Sequence, residues 1–256
     1  MDLVSIITPV YKCERYIAEA IKSVQAQTYP NWELLLVDDC TPDNSPEIIR
    51  GFVQADPRIR YLCMEKNSGA ALARNKALEE AKGRYITYLD ADDVWLPEKL
   101  ERQIAFMNEN HAQFSCCDYE KIEADGTPLN KIIHMPKTIT YNQLLRNTII
   151  QIVGVIIDLD LVDRKLVFMP DLRRGQDTAT WLQMLKNGVR FDGQNEVLAQ
   201  YRRAPDSLSS NKFKAMQRTW KIYREVEKLS LIKSIWCLLG WAYHASIKRI
   251  YFKKHK

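Results

Sequence analysis

Three carboxylates fall within four consecutive positions of the chain, at Asp90, Asp92 and Asp93. They follow residues 85–89, a run rich in β-branched and aromatic residues that is typical of a strand. Like charges this close repel one another unless a cation neutralises them, and clustered oxygen ligands favour a hard divalent cation such as Mg²⁺ or Mn²⁺. A D-x-D cluster alone also fits a structural role, in which the acids cap the helix that begins near Pro97 or solvate a turn.

Other polar and aromatic side chains also follow predicted strands. Pro9 and Tyr11 end the first apolar run, and Asp38 and Asp39 end the second. Ligands of open α/β sheets bind outside the carboxyl ends of the strands. These strand ends and the D-x-D cluster therefore predict one acidic and aromatic crevice. Tyr11 offers a face for stacking, and the alternative is an aromatic side chain that packs at a strand end.

The elements that must position these residues alternate regularly. Short apolar runs at 3–11, 32–39, 59–65 and 84–89 predict strands buried on both faces. The segments between them, 13–27, 45–54 and 68–81, have helical spacing or helix-forming composition. This alternation predicts an α/β domain with a mainly parallel sheet flanked by helices.

Beyond residue 110 the alternation ends. Runs at 111–122 and 148–162 predict further strands, 142–147 a short helix, and 177–188 an amphipathic helix that ends at Gly188. From residue 212 onward the pattern predicts two helical segments with a break near Ser230. We therefore predict one domain with a C-terminal helical extension.

Composition and motifs disfavour several classes of protein. The 256 residues are 46% hydrophobic and 27% charged, which is typical of a globular protein with a real core. No GxGxxG follows the first strand and no GxxxxGK[ST] occurs, which disfavours a dinucleotide-binding Rossmann site and a P-loop. The six cysteines lack metal-finger and CxxC spacing, as expected of unpaired thiols in a reducing compartment. The sequence shows no signal peptide and no apolar run of about 18 residues that would predict a spanning helix.

The end of the chain combines an apolar stripe with positive charge. Ile232, Ile235, Trp236, Leu239, Tyr243 and Ile247 recur at helical spacing, and the last nine residues contain five Lys or Arg and no acid. One interpretation is a helix that packs back on the domain. The other is an interfacial helix with Trp236, Trp241, Tyr243 and Tyr251 at headgroup depth and the basic residues on anionic lipid.

Four motifs occur in order at the successive strand–helix junctions: SIITPVY, LLLVDDCTPDNS, NSGAALARNKAL and YITYLDADD. With them, the sequence resembles the family 2 glycosyltransferases, inverting nucleotide-sugar enzymes of the GT-A fold. The resemblance resumes at RRGQDTATWLQMLKNG and YRRAPDSLSSNK. The C-terminal part is similar to the subgroup that builds teichuronic acid, capsule and lipopolysaccharide O-chains.

The resemblance implies a GT-A catalytic domain at 1–211, with a nucleotide-binding half (1–110) and an acceptor-binding half (111–211), and an extension at 212–256. It implies a role for each matching residue. Asp92 ligates the metal, and Asp177 is the general base. The donor contacts that it implies are Pro9 and Tyr11 at the base, Asp39 at uracil, Arg74 near the base and diphosphate, and Asp90 near the ribose or a metal-bound water. Asp93 orients the loop or approaches the donor sugar. Arg202 or Arg203 contacts the diphosphate within a mobile lid at 201–210, and Lys212 is a further candidate for that contact.

Some of these residues also have a purely structural interpretation, and two positions differ from the usual family sequence. Asp177 could simply be an acid favoured at a helix N-terminus, and Arg74 could form a surface ion pair with Glu79 or a neighbour. Cys40 stands where the family usually has Gly, and Gln176 where it usually has Glu. The lid lacks the His of many relatives, which disfavours a third protein ligand to the metal.

The resemblance therefore predicts a metal-dependent inverting glycosyltransferase that uses Mn²⁺ or Mg²⁺. We expect it to move a sugar from a nucleotide-sugar donor, a UDP-sugar, to a glycan or lipid-linked acceptor in bacterial cell-surface polysaccharide synthesis. The expected location is the cytoplasm, with peripheral contact to the anionic inner face of the membrane, and nucleic acid is not an expected partner. The alternatives are a catalytically degenerate nucleotide-sugar-binding scaffold and, less favoured because TPVYKCER contains no glycine, a nucleotidyltransferase.

Overall fold

The computed structural model describes residues 1–203 and 212–253, and the predicted lid from residue 204 onward lies outside these ranges. In its first half, strands and helices alternate as the sequence predicts: β1 (Val4–Val10), α1 (Ile17–Gln25), β2 (Trp32–Asp38), α2 (Ser45–Ala55), β3 (Ile59–Cys63), α3 (Ala70–Glu80) and β4 (Tyr85–Tyr88). A two-residue strand, β5 (Val94–Trp95), precedes α4 (Lys99–Asn110). The second half contains β6 (Phe114–Ile122), β7 (Pro128–Ile133), α5 (Tyr141–Arg146), β8 (Val155–Asp158), α6 (Gln176–Lys186), β9 (Phe191–Arg202), α7 (Lys212–Lys221) and α8 (Leu231–Lys253).

The strands form one mixed sheet in the order β3-β2-β1-β4-β8-β6-β9-β5, with β7 paired to β6. The first four strands are parallel. β8 runs antiparallel to both β4 and β6, and β9 is parallel to β6. Because β8 is antiparallel to both of its neighbours, β6 and β9 run in the same direction as β4. The carboxyl ends of β6 and β9 therefore lie on the same edge of the sheet as those of β1–β4.

Burial explains why the first strands could be predicted from the sequence. Every residue of β2 and β4 is buried, because helices cover both faces of a parallel sheet. Helix α6 packs on the same core through Trp181, whose ring lies 5.1 Å from that of Phe114 and 6.1 Å from that of Tyr88. These aromatic contacts tie the helix that carries Asp177 to the centre of the sheet.

Three strands and one boundary differ from the sequence-based prediction. The run 148–162 contains a strand only at Val155–Asp158, preceded by one turn of 3-10 helix at Ile152–Gly154. A Cβ on Gly154 would lie 2.8 Å from the carbonyl oxygen of Cys117. Glycine therefore allows this turn to pass close to β6. The sequence analysis did not predict β5, β7 or β9, which are short or rich in polar residues.

The C-terminal extension consists of α7, one π-helical turn (Ile222–Val226) and α8, and the predicted break near Ser230 is confirmed. One face of α8 packs on α5, where Gly240 lies directly against Arg146 and the Trp241 indole donates to the Thr148 hydroxyl at 3.3 Å. The packing interpretation is thus confirmed for that face, while the opposite face is exposed. No helix in the described ranges is both long and apolar enough to cross a membrane.

Candidate active site

The predicted crevice lies at the carboxyl edge of the sheet. Val10 pairs with Asp38, and Ile7 pairs with Tyr88 on the other side of β1. The chain leaves all three strands within a few residues of these pairs, so the segments after β1, β2 and β4 meet at one edge. The structure thus brings together the three strand ends on which the sequence-based site was built.

At the first of these ends, Pro9 lies within β1 opposite Val37, and Tyr11 follows the strand. The Tyr11 side chain is about half exposed rather than packed into the core. Lys12 has a left-handed φ of 52°, and its N–H donates to the Thr41 hydroxyl at 2.7 Å, which joins this segment to the loop after β2. The Tyr11 ring is therefore accessible at the rim of the crevice.

Asp39 joins the end of β2 to the start of α3. One carboxylate oxygen accepts the N–H of Ser68 at 2.6 Å and the other accepts the N–H of Gly69 at 2.7 Å. Gly69 is the N-cap of α3 and has a φ of +91°, which glycine adopts readily. A base contact by Asp39 would use the remaining lone pairs of a carboxylate that is already fixed by the helix N-terminus.

The neighbouring residues keep this loop in shape. Asp38 accepts the Thr41 N–H at 2.8 Å and the Tyr61 hydroxyl at 2.5 Å. Cys40 has a φ of 55°, a conformation that glycine adopts more readily, and its thiol donates to the carbonyl of Met64 at 3.2 Å. A left-handed residue with a Cβ costs about 1–2 kcal/mol, so the chain keeps the turn at some expense of stability.

Arg74 of α3 reaches the acidic cluster. It is buried, and its guanidinium forms an ion pair with Asp90. The alternative of a surface ion pair on α3 is therefore wrong. Its Nε atom is buried without a hydrogen-bond partner, which leaves one donor of the guanidinium unused.

Asp92 and Asp93 have different environments. Asp93 is buried, with one oxygen accepting the Arg202 N–H at 2.8 Å and the other without a hydrogen-bond partner. Burial, followed by the charges of Asp92 and Asp90, raises the pKa of Asp93 well above its ordinary value. Asp92 forms no ion pair with any described residue, and burial together with Asp90 raises its pKa to about 6. Asp92 and Asp93 thus both lack an ion pair with a described residue, and of the two only Asp92 is partly exposed.

The capping interpretation of these acids is wrong. Helix α4 begins at Lys99 with Glu98 at its N-cap and no side-chain capping bond, and β5 lies between the acids and the helix. Among the described residues, no group of three or more His, Cys, Asp or Glu side chains could by itself hold a metal. The donor set fits a cation of the Mg²⁺ type, which takes one or two carboxylates from the protein and completes its shell with water and phosphate.

Arg202 occupies a different position from the predicted one. Its guanidinium is buried and donates to the main-chain oxygens of Asp92 at 2.7 Å and Ala124 at 3.2 Å. It also forms an ion pair with Glu19 at 2.6 Å, and it lies 4.9 Å from the ring of Tyr16. With its donors used by protein groups, Arg202 has no free face for a phosphate. This placement speaks against the predicted diphosphate contact, and it makes Arg202 the anchor of the D-x-D loop.

Asp177 lies in the first turn of α6, after the N-cap Gly175, and accepts no capping bond. A Cβ on Gly175 would lie 2.9 Å from Ile222 and 3.1 Å from Arg218, so the C-terminal extension packs directly on this helix start. The neighbouring Gln176 has its side-chain oxygen buried without a partner. The position agrees with the helix-dipole alternative, and it also leaves the Asp177 carboxylate without a structural hydrogen bond in the described residues.

Tyr201 is electrostatically coupled to both Asp177 and the D-x-D cluster. The sequence analysis included it only in the predicted mobile lid at 201–210, whereas the structure places it within β9. Burial raises the pKa of Tyr201 above its ordinary value, and the charges of Asp93, Asp92, Asp90 and Asp177 raise it further. The charges of four carboxylates from two separate elements therefore all act on this one phenol. No local pattern marks Tyr201, because its neighbours come from segments far away in the chain.

Comparisons with known proteins agree with this geometry. Residues 5–159 match the model of Glycosyl transferase family 2. The chain is 46% identical over 248 residues to the putative teichuronic acid biosynthesis glycosyltransferase TuaG of Bacillus subtilis, covering 97% of this chain and 98% of TuaG. It is 40% identical over 221 residues to WfgD of Escherichia coli, a UDP-Glc:alpha-D-GlcNAc-diphosphoundecaprenol beta-1,3-glucosyltransferase, covering 86% of this chain and 85% of WfgD.

Two solved structures share the fold at lower identity. S. aureus TarS 1–349 in complex with UDP-GlcNAc superposes with a TM-score of 0.70 at 20% identity, over 94% of this chain and 72% of that one. The mannosyltransferase PcManGT of Pyrobaculum calidifontis, in complex with GDP-Man and Mn²⁺, gives 0.66 at 17% identity, over 96% and 75%. The family match, the relatives and the sheet order lead to one conclusion: the chain belongs to glycosyltransferase family 2 and is a glycosyltransferase with the GT-A fold.

Proposed function

We propose that this glycosyltransferase moves a sugar from a UDP-sugar to a lipid-linked or glycan acceptor, with inversion, during the synthesis of a bacterial cell-surface polysaccharide. The observation that carries the proposal is electrostatic. Asp92 of the D-x-D cluster and Asp177 at the start of α6 belong to different elements, yet both charges raise the pKa of the same phenol, Tyr201. The names of TuaG and WfgD support the pathway and the class of acceptor.

Asp177 is the general base of this proposal. An inverting transfer needs a group that removes the proton of the acceptor hydroxyl on the face opposite the leaving group. Asp177 is partly exposed and forms no structural hydrogen bond in the described residues, so its oxygens are available for that proton. The aromatic packing of Trp181 holds the helix rigidly on the sheet, which fixes the position of the base.

Asp92 would hold a divalent metal, Mn²⁺ or Mg²⁺, and Asp90 would lie beside it with its charge shared by Arg74. A bound metal would neutralise the negative charge that develops on the departing nucleoside diphosphate. The absence of any ion pair at Asp92 and its raised pKa support this role, because both leave a site that favours a cation. The Mn²⁺ in the PcManGT complex supports the choice of metal.

The donor nucleotide would lie along the edge formed by β1, β2 and α3. We assign the base to the exposed ring of Tyr11, with Pro9 beneath it and Asp39 at its edge, and Arg74 to the diphosphate side. Asp93, which its raised pKa favours as a neutral acid, would contribute a hydrogen bond near the sugar. The UDP named for WfgD and the UDP-GlcNAc bound to TarS support uracil as the base.

A lipid-linked acceptor is found at a membrane. We therefore place the working enzyme on the cytoplasmic face of the membrane, in peripheral contact with it.

The test is turnover with a panel of donors. The purified chain is incubated with UDP-glucose, UDP-GlcNAc, UDP-galactose and GDP-mannose, each with a GlcNAc-diphosphate lipid and Mn²⁺, and products are followed by mass spectrometry. We expect transfer from at least one UDP-sugar, with inverted anomeric configuration, and its loss when a chelator removes the metal. Binding of donors without transfer or hydrolysis of any of them would contradict the proposal and favour the scaffold alternative.

A further inference from the structure

The first four turns of α8 expose large apolar side chains on one face. We call this surface the apolar stripe, and it consists of Leu231, Ile232, Ile235, Trp236, Leu239 and Tyr243. At about 100° per residue these positions fall within an arc of about 140°. Ile232 is 83% exposed and Trp236 is 63% exposed. Large exposed apolar surfaces of this kind mark interaction sites.

The stripe cannot be buried by rotating the helix, because the opposite face is already occupied. Ser234 and Cys237 are fully or almost fully buried there, and Gly240 allows the closest approach to α5. A Cβ at Gly240 would lie 2.6 Å from Nε of Arg146. Helix α8 is therefore fixed on the domain with its apolar stripe facing outward.

The exposure is also concentrated in this one place. Within the described ranges, eleven large apolar side chains are exposed, and six of them belong to the 13 residues from Leu231 to Tyr243. Elsewhere such residues occur singly, as Ile132 and Leu161 do, which is normal for a protein surface. Isolated exposed residues of the ordinary kind would not cluster on one face of a single helix.

The positive charge near the stripe indicates an anionic partner. After Glu227, residues 228–256 contain seven Lys or Arg and no acid. The guanidinium of Arg146 lies 5.7 Å from the ring of Trp236, so a cation also borders the stripe on the α5 side. Aliphatic residues with Trp and Tyr beside cations suit the headgroup region of an anionic bilayer. A second copy of the chain would bring two such basic segments together, and their repulsion disfavours a dimer through this face.

We propose that the apolar stripe of α8 is the docking surface of this enzyme for an anionic phospholipid bilayer. This proposal identifies the membrane partner of the proposed function and the surface that binds it. It rests on that function only for the reason why the enzyme would bind a bilayer. Helix α5 packs against both α8 and α6. Docking through the stripe therefore fixes the height of the helix that carries Asp177 above the bilayer through two packed interfaces.

The experiment is sedimentation of the full chain with vesicles. One set contains equal parts of phosphatidylglycerol and phosphatidylcholine, and the other contains phosphatidylcholine alone. Trp236→Glu and the pair Ile232→Glu with Leu239→Glu alter only exposed positions, so both variants should keep the wild-type circular dichroism. The matched controls are Ile132→Glu and Leu161→Glu, whose side chains are 43% and 47% exposed elsewhere on the surface.

We expect the wild type and both controls to bind the anionic vesicles more tightly than the neutral ones, with binding that weakens as salt is added. Each stripe variant should lower the partition coefficient by about tenfold or more. Equal binding of stripe variants and wild type would overturn the proposal, and so would equal binding to both kinds of vesicle. A wild type that is dimeric without lipid, with monomeric stripe variants, would identify a self-association surface instead.

Vesicle binding requires neither donor nor metal, so it separates this inference from the proposed function. A chain that binds vesicles through the stripe but transfers no sugar would keep the inference and contradict the function. If both hold, the stripe variants should retain wild-type kcat on a water-soluble short-chain acceptor. They should lose about tenfold in rate on the same acceptor headgroup embedded in vesicles, because the enzyme is no longer concentrated at the surface.

Discussion

Arg202 shows how a single buried cation shapes the acidic loop. Its guanidinium joins the main chain of Asp92 to Ala124 and to Glu19, a partner 183 residues away in the sequence. Its own N–H fixes Asp93. The motif analysis correctly placed Arg202 beside the site, but the identity of its contacts depends on how distant segments meet. Those contacts could not be predicted from one sequence, and neither could the influence of four carboxylates on Tyr201.

A first prediction follows for Arg202→Lys. Lysine keeps the charge but lacks the planar fork that reaches three partners at once, so the D-x-D loop should loosen. We expect the Mn²⁺ concentration for half-maximal activity to rise about tenfold, while kcat at saturating Mn²⁺ changes less. Glu19→Gln should shift the Mn²⁺ requirement in the same direction by a smaller factor. The control is Arg190→Lys at the exposed residue that precedes β9. An unchanged Mn²⁺ titration in Arg202→Lys would refute the anchoring role.

At the scale of elements, most of the first half of the fold could be predicted from the sequence, and so could β6, α5 and α6 of the second half, whereas β5, β7 and β9 could not. Strands β1, β2 and β4 are nearly continuous apolar runs because both faces are covered, and this pattern is visible in the sequence. The edge strand β3 is only partly buried, contrary to the prediction of a strand covered on both faces. Strand β9 instead mixes polar residues with apolar ones, and two register shifts interrupt its pairing with β6. Its polar side chains have long-range partners: Asn195, for example, donates to the carbonyl of Met135 at 2.8 Å. Periodicity alone cannot reveal such a strand.

Two glycines give a matched test of this packing. A Cβ at Gly193 in β9 would lie 2.1 Å from the carbonyl oxygen of Pro136, whereas a Cβ at Gly51 in α2 would meet nothing within 4 Å. Gly193→Ala should lower the free energy of unfolding by about 1–3 kcal/mol or more, because backbone must move. Gly51→Ala should raise it by roughly 0.5–1 kcal/mol, because alanine favours the helix. Urea unfolding of both variants checks this, and equal effects of the two substitutions would contradict the β9 packing.

At the scale of the whole molecule, stability should depend on a buried lysine. Lys99 is fully buried, with its ammonium 2.7 Å from the Thr87 hydroxyl and 3.7 Å from the centre of the Trp95 ring. Burial lowers the pKa of Lys99 to about 7. An unfolded chain would hold this proton up to its ordinary pKa of about 10.4. Between these values the unfolded state binds more protons than the folded state, so stability contributed by this group rises with pH above 7 and is lost as pH falls toward 7.

Lys99→Met should remove that dependence. We expect the free energy of unfolding of the wild type, relative to Lys99→Met, to rise by on the order of 2 kcal/mol between pH 7 and pH 9. Comparing the two proteins cancels the titration of the other groups, which both proteins share. Urea unfolding at three pH values in this interval measures the difference. Parallel pH profiles would mean that Lys99 stays charged in the folded protein.

The family and fold could be predicted because four ordered motifs lie at four strand ends, and the orientation of α8 could not. A helical stripe in the sequence has a packed face and an exposed face only once its neighbours are known. Helix α5, the element that covers one side of α8, lies some 90 residues earlier in the chain. The sequence analysis therefore left packing and membrane contact as alternatives, and the structure assigns the first to the α5 side of the helix.

The central claim is that Asp177 acts as the base and Asp92 as the metal ligand of one transfer reaction. The most direct measurement is kcat of Asp177→Asn together with calorimetric binding of UDP in the presence of Mn²⁺. We predict a loss of transfer of about 10²–10⁴-fold with UDP affinity within a factor of about two of the wild type. Asp92→Ala should instead lose the Mn²⁺-dependent part of UDP binding. Wild-type transfer by Asp177→Asn would contradict the account.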